Sequence, residues 1–180
     1  STPEDPRVVE AMRPYASQEF ANPHSNDHAA GWRAHKALEQ ATRQISEALG
    51  IDTDELVFTS GATEANNLAV LGLARRAPQS RRRILVSDIE HECVLAAAQA
   101  TTRFGFAVGS IPVNMDGLVD PDDLAPLLGD DVLLVSIASV NNEIGTIQDL
   151  RTLSEVIAPS GAYFHSDCAQ ALAAGESDFA

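Results

Sequence analysis

The sequence predicts an α/β fold, a mainly parallel sheet with helices on both faces, on three observations. From about residue 55 onward, short β-rich runs alternate with stretches of helical periodicity. One run, Asp131–Val140 (DVLLVSIASV), is apolar at nearly every position, as in a strand buried on both faces of a parallel sheet. The residues after each run are small or polar, and in open α/β sheets ligands sit at the carboxyl ends of the strands.

The elements follow in order. The amino end reads as helix from about Asp5, since Pro6 suits a first turn and Val8, Val9, Met12 and Tyr15 recur at helical spacing. Pro14 is expected to end that helix early. A polar stretch with Asn22, Pro23, Asn26 and Asp27 leads into a long amphipathic helix carrying Ala34, Leu38, Ala41, Ile45 and Ala48, closed by Gly50. Glu55–Thr59 reads as a first strand, Ser60-Gly61-Ala62-Thr63 as a small-residue turn, and the stretch to Arg76 as a helix. Arg83–Ile89 is a second strand, Glu92–Thr102 a helix and Phe104–Val113 a third strand. Asn114-Met115-Asp116-Gly117 is a turn and Pro121–Leu128 a short helix. After the apolar run, Asp149–Ile157 reads as helix and Ala162–Ser166 as the last strand. Residues 1–30 are expected to form an outlying segment, and residues 31–180 part of one large domain.

Composition narrows the function. The 180 residues hold 12 Lys+Arg against 26 Asp+Glu, a net charge of −14, so phosphate contacts along a nucleic acid would be made against the protein's own field. A 44% hydrophobic content suffices for one ordinary core. The apolar stretches fall far short of the roughly 20 residues of a bilayer span, so no membrane is expected. Cys93 and Cys168 lie 75 positions apart in a chain too large to need a staple, and no signal-like start precedes them. A reducing, cytoplasmic setting is expected. Lys36 is the single lysine, so any function needing a lysine uses that one or borrows from outside this chain.

The chemistry is sought at the strand ends. Ser60-Gly61-Ala62-Thr63-Glu64 turns the backbone and exposes N–H groups at a helix start, an anion cradle suited to phosphate. Helix capping alone also accounts for Ser60 and Thr63. The other ends carry Glu90-His91-Glu92, Asn141-Asn142-Glu143 and His165-Ser166-Asp167-Cys168-Ala169-Gln170. Taken singly, Asn141 and Asn142 are ordinary turn residues, Asp167 a helix cap and His91 a structural histidine. Four strand ends bearing an imidazole, carboxamides and acids exceed what loop composition predicts. A metal site built from His91, Cys93, His165, Asp167 and Cys168 competes, but there is neither a Cys-x-x-Cys pair nor a His-Glu-x-x-His helix. Both cysteines read as inert, partly buried thiols with no basic cluster beside them.

Val57–Ala69 (VFTSGATEANNLA), Glu90-His91, Val140–Gly145 (VNNEIG) with Gln148-Asp149, and His165–Gln170 (HSDCAQ) resemble, in order and spacing, the cysteine desulfurases, class V aminotransferase-like enzymes of the fold-type I pyridoxal-phosphate (PLP) group. Asp5-Pro6-Arg7-Val8 and Asn22-Pro23-His24-Ser25 with His28 are similar to the family's amino-terminal part, and Ser1-Thr2-Pro3 to the end of its opening motif. The resemblance implies an incomplete PLP-dependent transferase large domain. It places the cofactor phosphate on Ala62 and Thr63 and stacks His91 on the pyridine ring with a part in proton transfer. It pairs Asp167 with the ring nitrogen, and sets Asn142 and Gln170 against oxygens of cofactor and substrate.

The resemblance further implies conversion of cysteine to alanine with the sulfur held as an enzyme persulfide. It also implies a homodimer and a sulfur-acceptor protein in pathways such as iron–sulfur cluster assembly. Family members carry a Schiff-base lysine in a Ser-Gly-His-Lys type segment downstream, and a sulfur-accepting cysteine beyond that. Neither lies within this chain, and Lys36 is upstream of the sheet, so the 180 residues are expected to be a fragment, inactive alone. A selenocysteine lyase or class V aminotransferase keeps the fold and changes the reaction. A non-catalytic partner subunit lacking the lysine is the third reading.

Overall fold

In the computed structural model the described residues are 3–25 and 27–171, so Ser1, Thr2, Asn26 and the carboxyl end of the expected large domain lie outside them. The described residues form two compact units, one up to Phe58 and one from Thr59 onward. In the first unit, helix α1 (Pro6–Ser17) begins where the Asp5 carboxylate accepts the Arg7 N–H at 2.8 Å. Pro14 does not end it, contrary to expectation. The ring forfeits one backbone donor on a wholly exposed helix, and the last turn still closes through Gln18 N–H to the Pro14 carbonyl at 2.8 Å.

Helix α2 (Ala29–Leu49) starts with His28 Nδ1 accepting the Gly31 N–H at 3.0 Å and stops at Gly50, whose φ of +68° reverses the chain. Gly31 is required by close approach, since a Cβ there would stand 2.1 Å from the Ser25 carbonyl oxygen. Of the expected stripe, Ala34, Ala41 and Ile45 are half-buried while Leu38 and Ala48 are exposed. The strand expected at Glu55–Thr59 is not formed. Thr53–Glu55 is a 3-10 turn, Leu56 is extended, and residues 56–59 pair with no strand among the described residues, leaving Val57 and Phe58 exposed. High β-propensity makes a strand only where a neighbour completes the ladder.

The second unit holds helix α3 (Ala62–Arg76), strand β1 (Arg83–Ser87), helix α4 (Glu92–Ala100), strand β2 (Ala107–Ile111), the short helix α5 (Pro121–Leu124), strand β3 (Val132–Ser136), helix α6 (Leu150–Ile157) and strand β4 (Tyr163–His165). The strands form one parallel sheet in the order β2-β1-β3-β4. β2 begins later than expected, because Thr101–Phe104 winds into a 3-10 turn that Gly105 ends at φ +81°.

Alternate side chains of the central strands feed two cores. Ile84, Val86 and Leu134 pack with Val70 and Ala74 of α3 and Val94, Ala97 and Ala98 of α4. Leu85 and Val135 pack on the opposite face with Leu124 of α5 and Leu153 and Ile157 of α6. Each fully buried Val, Leu or Ile contributes about 1.5–3 kcal/mol, so both faces of β1 and β3 are committed to the interior. The chain winds from β1 outward to β2, then returns to the other side of β1 as β3. That reversal opens a crevice between the carboxyl ends of β1 and β3. Among the described residues no helix is long and apolar enough to cross a membrane.

Candidate functional site

The turn into α3 exposes the backbone donors that begin the helix. Gly61 sits at φ +156°, ψ 179°, a conformation nearly confined to glycine, and a Cβ there would meet nothing within 4 Å. The first helical bond runs from Ala65 N–H to the Gly61 carbonyl at 3.1 Å, so the N–H groups of Ala62, Thr63 and Glu64 precede the intrahelical ladder. All three residues are exposed, at the positive end of a 15-residue helix. Glu64 folds back, its Oε2 accepting the Ser60 N–H at 2.7 Å and the Ser60 hydroxyl at 2.6 Å. Those two donors hold its carboxyl below the usual carboxylate range.

One connected set of polar contacts gathers three of the sequence motifs. His91 caps α4, its Nδ1 accepting the Cys93 N–H at 3.1 Å and standing 3.0 Å from the Cys93 sulfur. The Asn66 amide nitrogen, on α3, lies 3.3 Å from the same sulfur and donates to Asp167 Oδ2 at 2.7 Å. Asp167 Oδ1 accepts the Ala169 N–H at 2.9 Å. The Ser139 N–H, beyond the end of β3, donates to the Asp167 carbonyl at 3.1 Å. Because Nδ1 of His91 is occupied as an acceptor, the neutral ring carries its proton on Nε2, and that ring is exposed. Asp167 thus stands two residues beyond β4, among these polar groups.

Beneath the rim lies a buried carboxylate that the sequence reading counted only as a polar strand end. Glu90, 6% exposed, accepts the Ser87 hydroxyl at 2.8 Å and the Ala138 N–H at 2.5 Å through Oε1, and the Ser136 hydroxyl at 3.4 Å through Oε2. It thereby ties the ends of β1 and β3 across the switch-point crevice. Burial, aided by the charge of Asp167, pushes the Glu90 carboxyl up against the opposing pull of the hydrogen bonds from Ser87 and Ala138. The Ser136 hydroxyl also stands 2.8 Å from Nδ1 of His165, and burial pushes that imidazole down while Asp167 opposes the shift.

The other expected site residues are placed less closely. Asn142 is exposed in the turn that follows β3, and it is its neighbour Asn141 that builds the turn. Asn141 donates to the Ile89 carbonyl at 2.8 Å and its Oδ1 accepts the Glu143 and Ile144 N–H groups. Gln170 is half-buried in the turn closed by Ala171 N–H to the Cys168 carbonyl at 3.0 Å. Cys93, read as an inert thiol, is half-buried and makes polar contacts to both His91 and Asn66. Asn66 was missed altogether. Its signal is its spacing, since Asn66, Val70 and Ala74 recur every four residues as the buried stripe of α3, and a carboxamide in such a stripe needs a buried partner. Among the described residues no group of three or more His, Cys, Asp or Glu side chains is placed to hold a metal ion.

A parallel sheet with a helix-start turn, an exposed imidazole and a hydrogen-bonded carboxylate at its carboxyl rim defines an open α/β protein, the class whose ligands sit at that edge. The chain belongs to the aminotransferase class-V family, whose model matches residues 1–180. It is 42% identical over 170 residues to the cysteine desulfurase IscS of Rickettsia africae, covering 94% of this chain and 42% of that protein. The structure of DndA from Streptomyces lividans superposes with a TM-score of 0.88 at 36% identity, covering 99% of this chain and 50% of that one. A structure of SspA in complex with cysteine gives 0.85 at 35% identity, over 92% and 48%. The chain thus spans half or less of the length of these relatives.

Proposed function

We propose that this chain is the amino-terminal and central part of a PLP-dependent cysteine desulfurase, which takes cysteine to alanine and retains the sulfur as a protein persulfide. The observation that carries the reading is the connected path from His91 through Cys93 and Asn66 to Asp167, on the rim that also bears the α3 turn. The donor set fits the cofactor. N–H groups at a helix start suit a phosphate, and a carboxylate oriented by two N–H donors suits a protonated ring nitrogen. The relatives named as cysteine desulfurases, and SspA with its bound cysteine, support the substrate.

When bound, PLP supplies an electron sink for the carbon bearing the substrate amine. In this reading the N–H groups of Ala62 and Thr63 and the Thr63 hydroxyl hold the phosphate. The Asp167 carboxylate fixes the ring orientation through the ring nitrogen. His91 covers the ring and moves a proton at Nε2, the atom its Nδ1 contact leaves available. Asn142 and Gln170 donate to oxygens of cofactor and substrate. A cytoplasmic homodimer passing sulfur to an acceptor protein, as in iron–sulfur cluster assembly, is the setting this reading carries. The test is the full-length protein with PLP, cysteine and a thiol reductant. Alanine and sulfide in equal amounts are expected, and a keto acid from cysteine in place of alanine would mean a transaminase instead.

A further inference from the structure

Three residues of α3 are buried in a row, and two of them, Val70 and Ala74, are ordinary core. The third, Asn66, is 4% exposed, and a carboxamide there loses its hydration unless the fold replaces it. The fold does so through the amide nitrogen, which donates to Asp167 Oδ2 at 2.7 Å and lies 3.3 Å from the Cys93 sulfur. Asp167 is therefore held by a local backbone donor at Oδ1 and, at Oδ2, by a side chain 101 positions away in sequence. Together the two donors fix the direction in which the carboxylate points. Each oxygen keeps a second lone pair for a further donor. Asn66 also lies about 6 Å along the helix axis from Ala62 at 1.5 Å rise per residue, so one rigid helix presents the anion turn and braces the carboxylate.

We propose that Asn66 is the positioning residue for Asp167, presetting the orientation of the carboxylate that receives the ring nitrogen of PLP. This rests on the cofactor reading above and extends it to a residue to which the resemblance gave no role. If Asn66 acts through Asp167 on the ring nitrogen, its removal matters only when both partners are present. A merely structural side chain would affect every cofactor alike.

The test uses the full-length protein stripped of cofactor. Dissociation constants are measured for PLP and for its 1-deaza analogue, in which carbon replaces the ring nitrogen. The parent is compared with Asn66→Leu, Asp167→Asn and the double variant. Asn66→Leu is expected to weaken PLP about tenfold, the scale of one hydrogen bond to a charged group, while leaving the deaza analogue unchanged. In the Asp167→Asn background it is expected to cost nothing more. Asn66→Ala, which opens space instead of filling it, is expected to show the same selectivity and guards against a misfolded leucine variant. Equal loss for both cofactors, additive loss in the double variant, or no loss at all overturns the inference while leaving the cofactor reading intact. A parent that takes up no PLP overturns that reading and the inference with it.

Discussion

Asp167 is held at both oxygens before any ligand reaches it, and that bracing makes its charge the quantity to test. Replacing it by Asn keeps the size and removes the negative partner of the ring nitrogen, so in the full-length enzyme turnover of cysteine is expected to fall by roughly two to four orders of magnitude, about 3–5 kcal/mol of barrier. The fold is expected to survive, since the residue sits at the rim and not in either apolar core. Normal turnover with bound PLP would remove Asp167 from this role. Thr63 is exposed at the second position of α3, and Thr63→Val keeps its shape while deleting the hydroxyl. PLP affinity is expected to drop about tenfold to a hundredfold by equilibrium titration. An unchanged affinity would leave Thr63 as a helix residue only. Both positions were legible in the sequence because they stand in short motifs directly after apolar runs. Asn66 was not, because its importance depends on which stripe of α3 turns inward and on a partner 101 positions away.

Between elements, Glu90 is the link that closes the switch point, joining the end of β1 to Ser136 and Ala138 at the end of β3. Its carboxyl is pushed up by burial, so the folded chain keeps that proton to higher pH than the unfolded one. Stability therefore falls as pH rises from about 4.3, the ordinary glutamate value, through the raised folded value. His165 works in the other direction. Its imidazole is pushed down, so below about 6.5 the unfolded chain binds the extra proton and stability falls as pH drops. Glu90→Gln retains an acceptor for the Ala138 N–H and removes the first effect alone. Denaturant unfolding of the full-length protein is expected to show the variant gaining on the parent as pH rises from 4.5 to 8, with the acid-side loss unchanged. A constant difference across that range would mean that Glu90 does not titrate on folding. The alternation of strands and helices was readable here because Ile84–Val86 of β1 and Val132–Val135 of β3 are unbroken apolar runs and α6 is strongly amphipathic. The strand expected at Glu55–Thr59 failed for a non-local reason, since no described strand pairs with it.

At the scale of the whole chain, the two compact units divide the chemistry unevenly. Every residue assigned to the cofactor lies after Phe58, in the unit built on the parallel sheet. The one lysine, Lys36, lies in the other unit, exposed on α2, where the polar face of an amphipathic helix accounts for it without any ligand. A lysine that holds PLP covalently must reach the same rim as Asp167 and His91. Lys36→Arg keeps the charge and the helix propensity while removing the amine. In the full-length protein the variant is expected to bind PLP with the parent's stoichiometry and absorption. Borohydride reduction followed by peptide mapping is expected to find the pyridoxyl group on a different lysine. Loss of the reduced adduct in Lys36→Arg, with PLP still bound, would bring α2 to the reacting centre and would require the rim to be redrawn around a residue from the first unit.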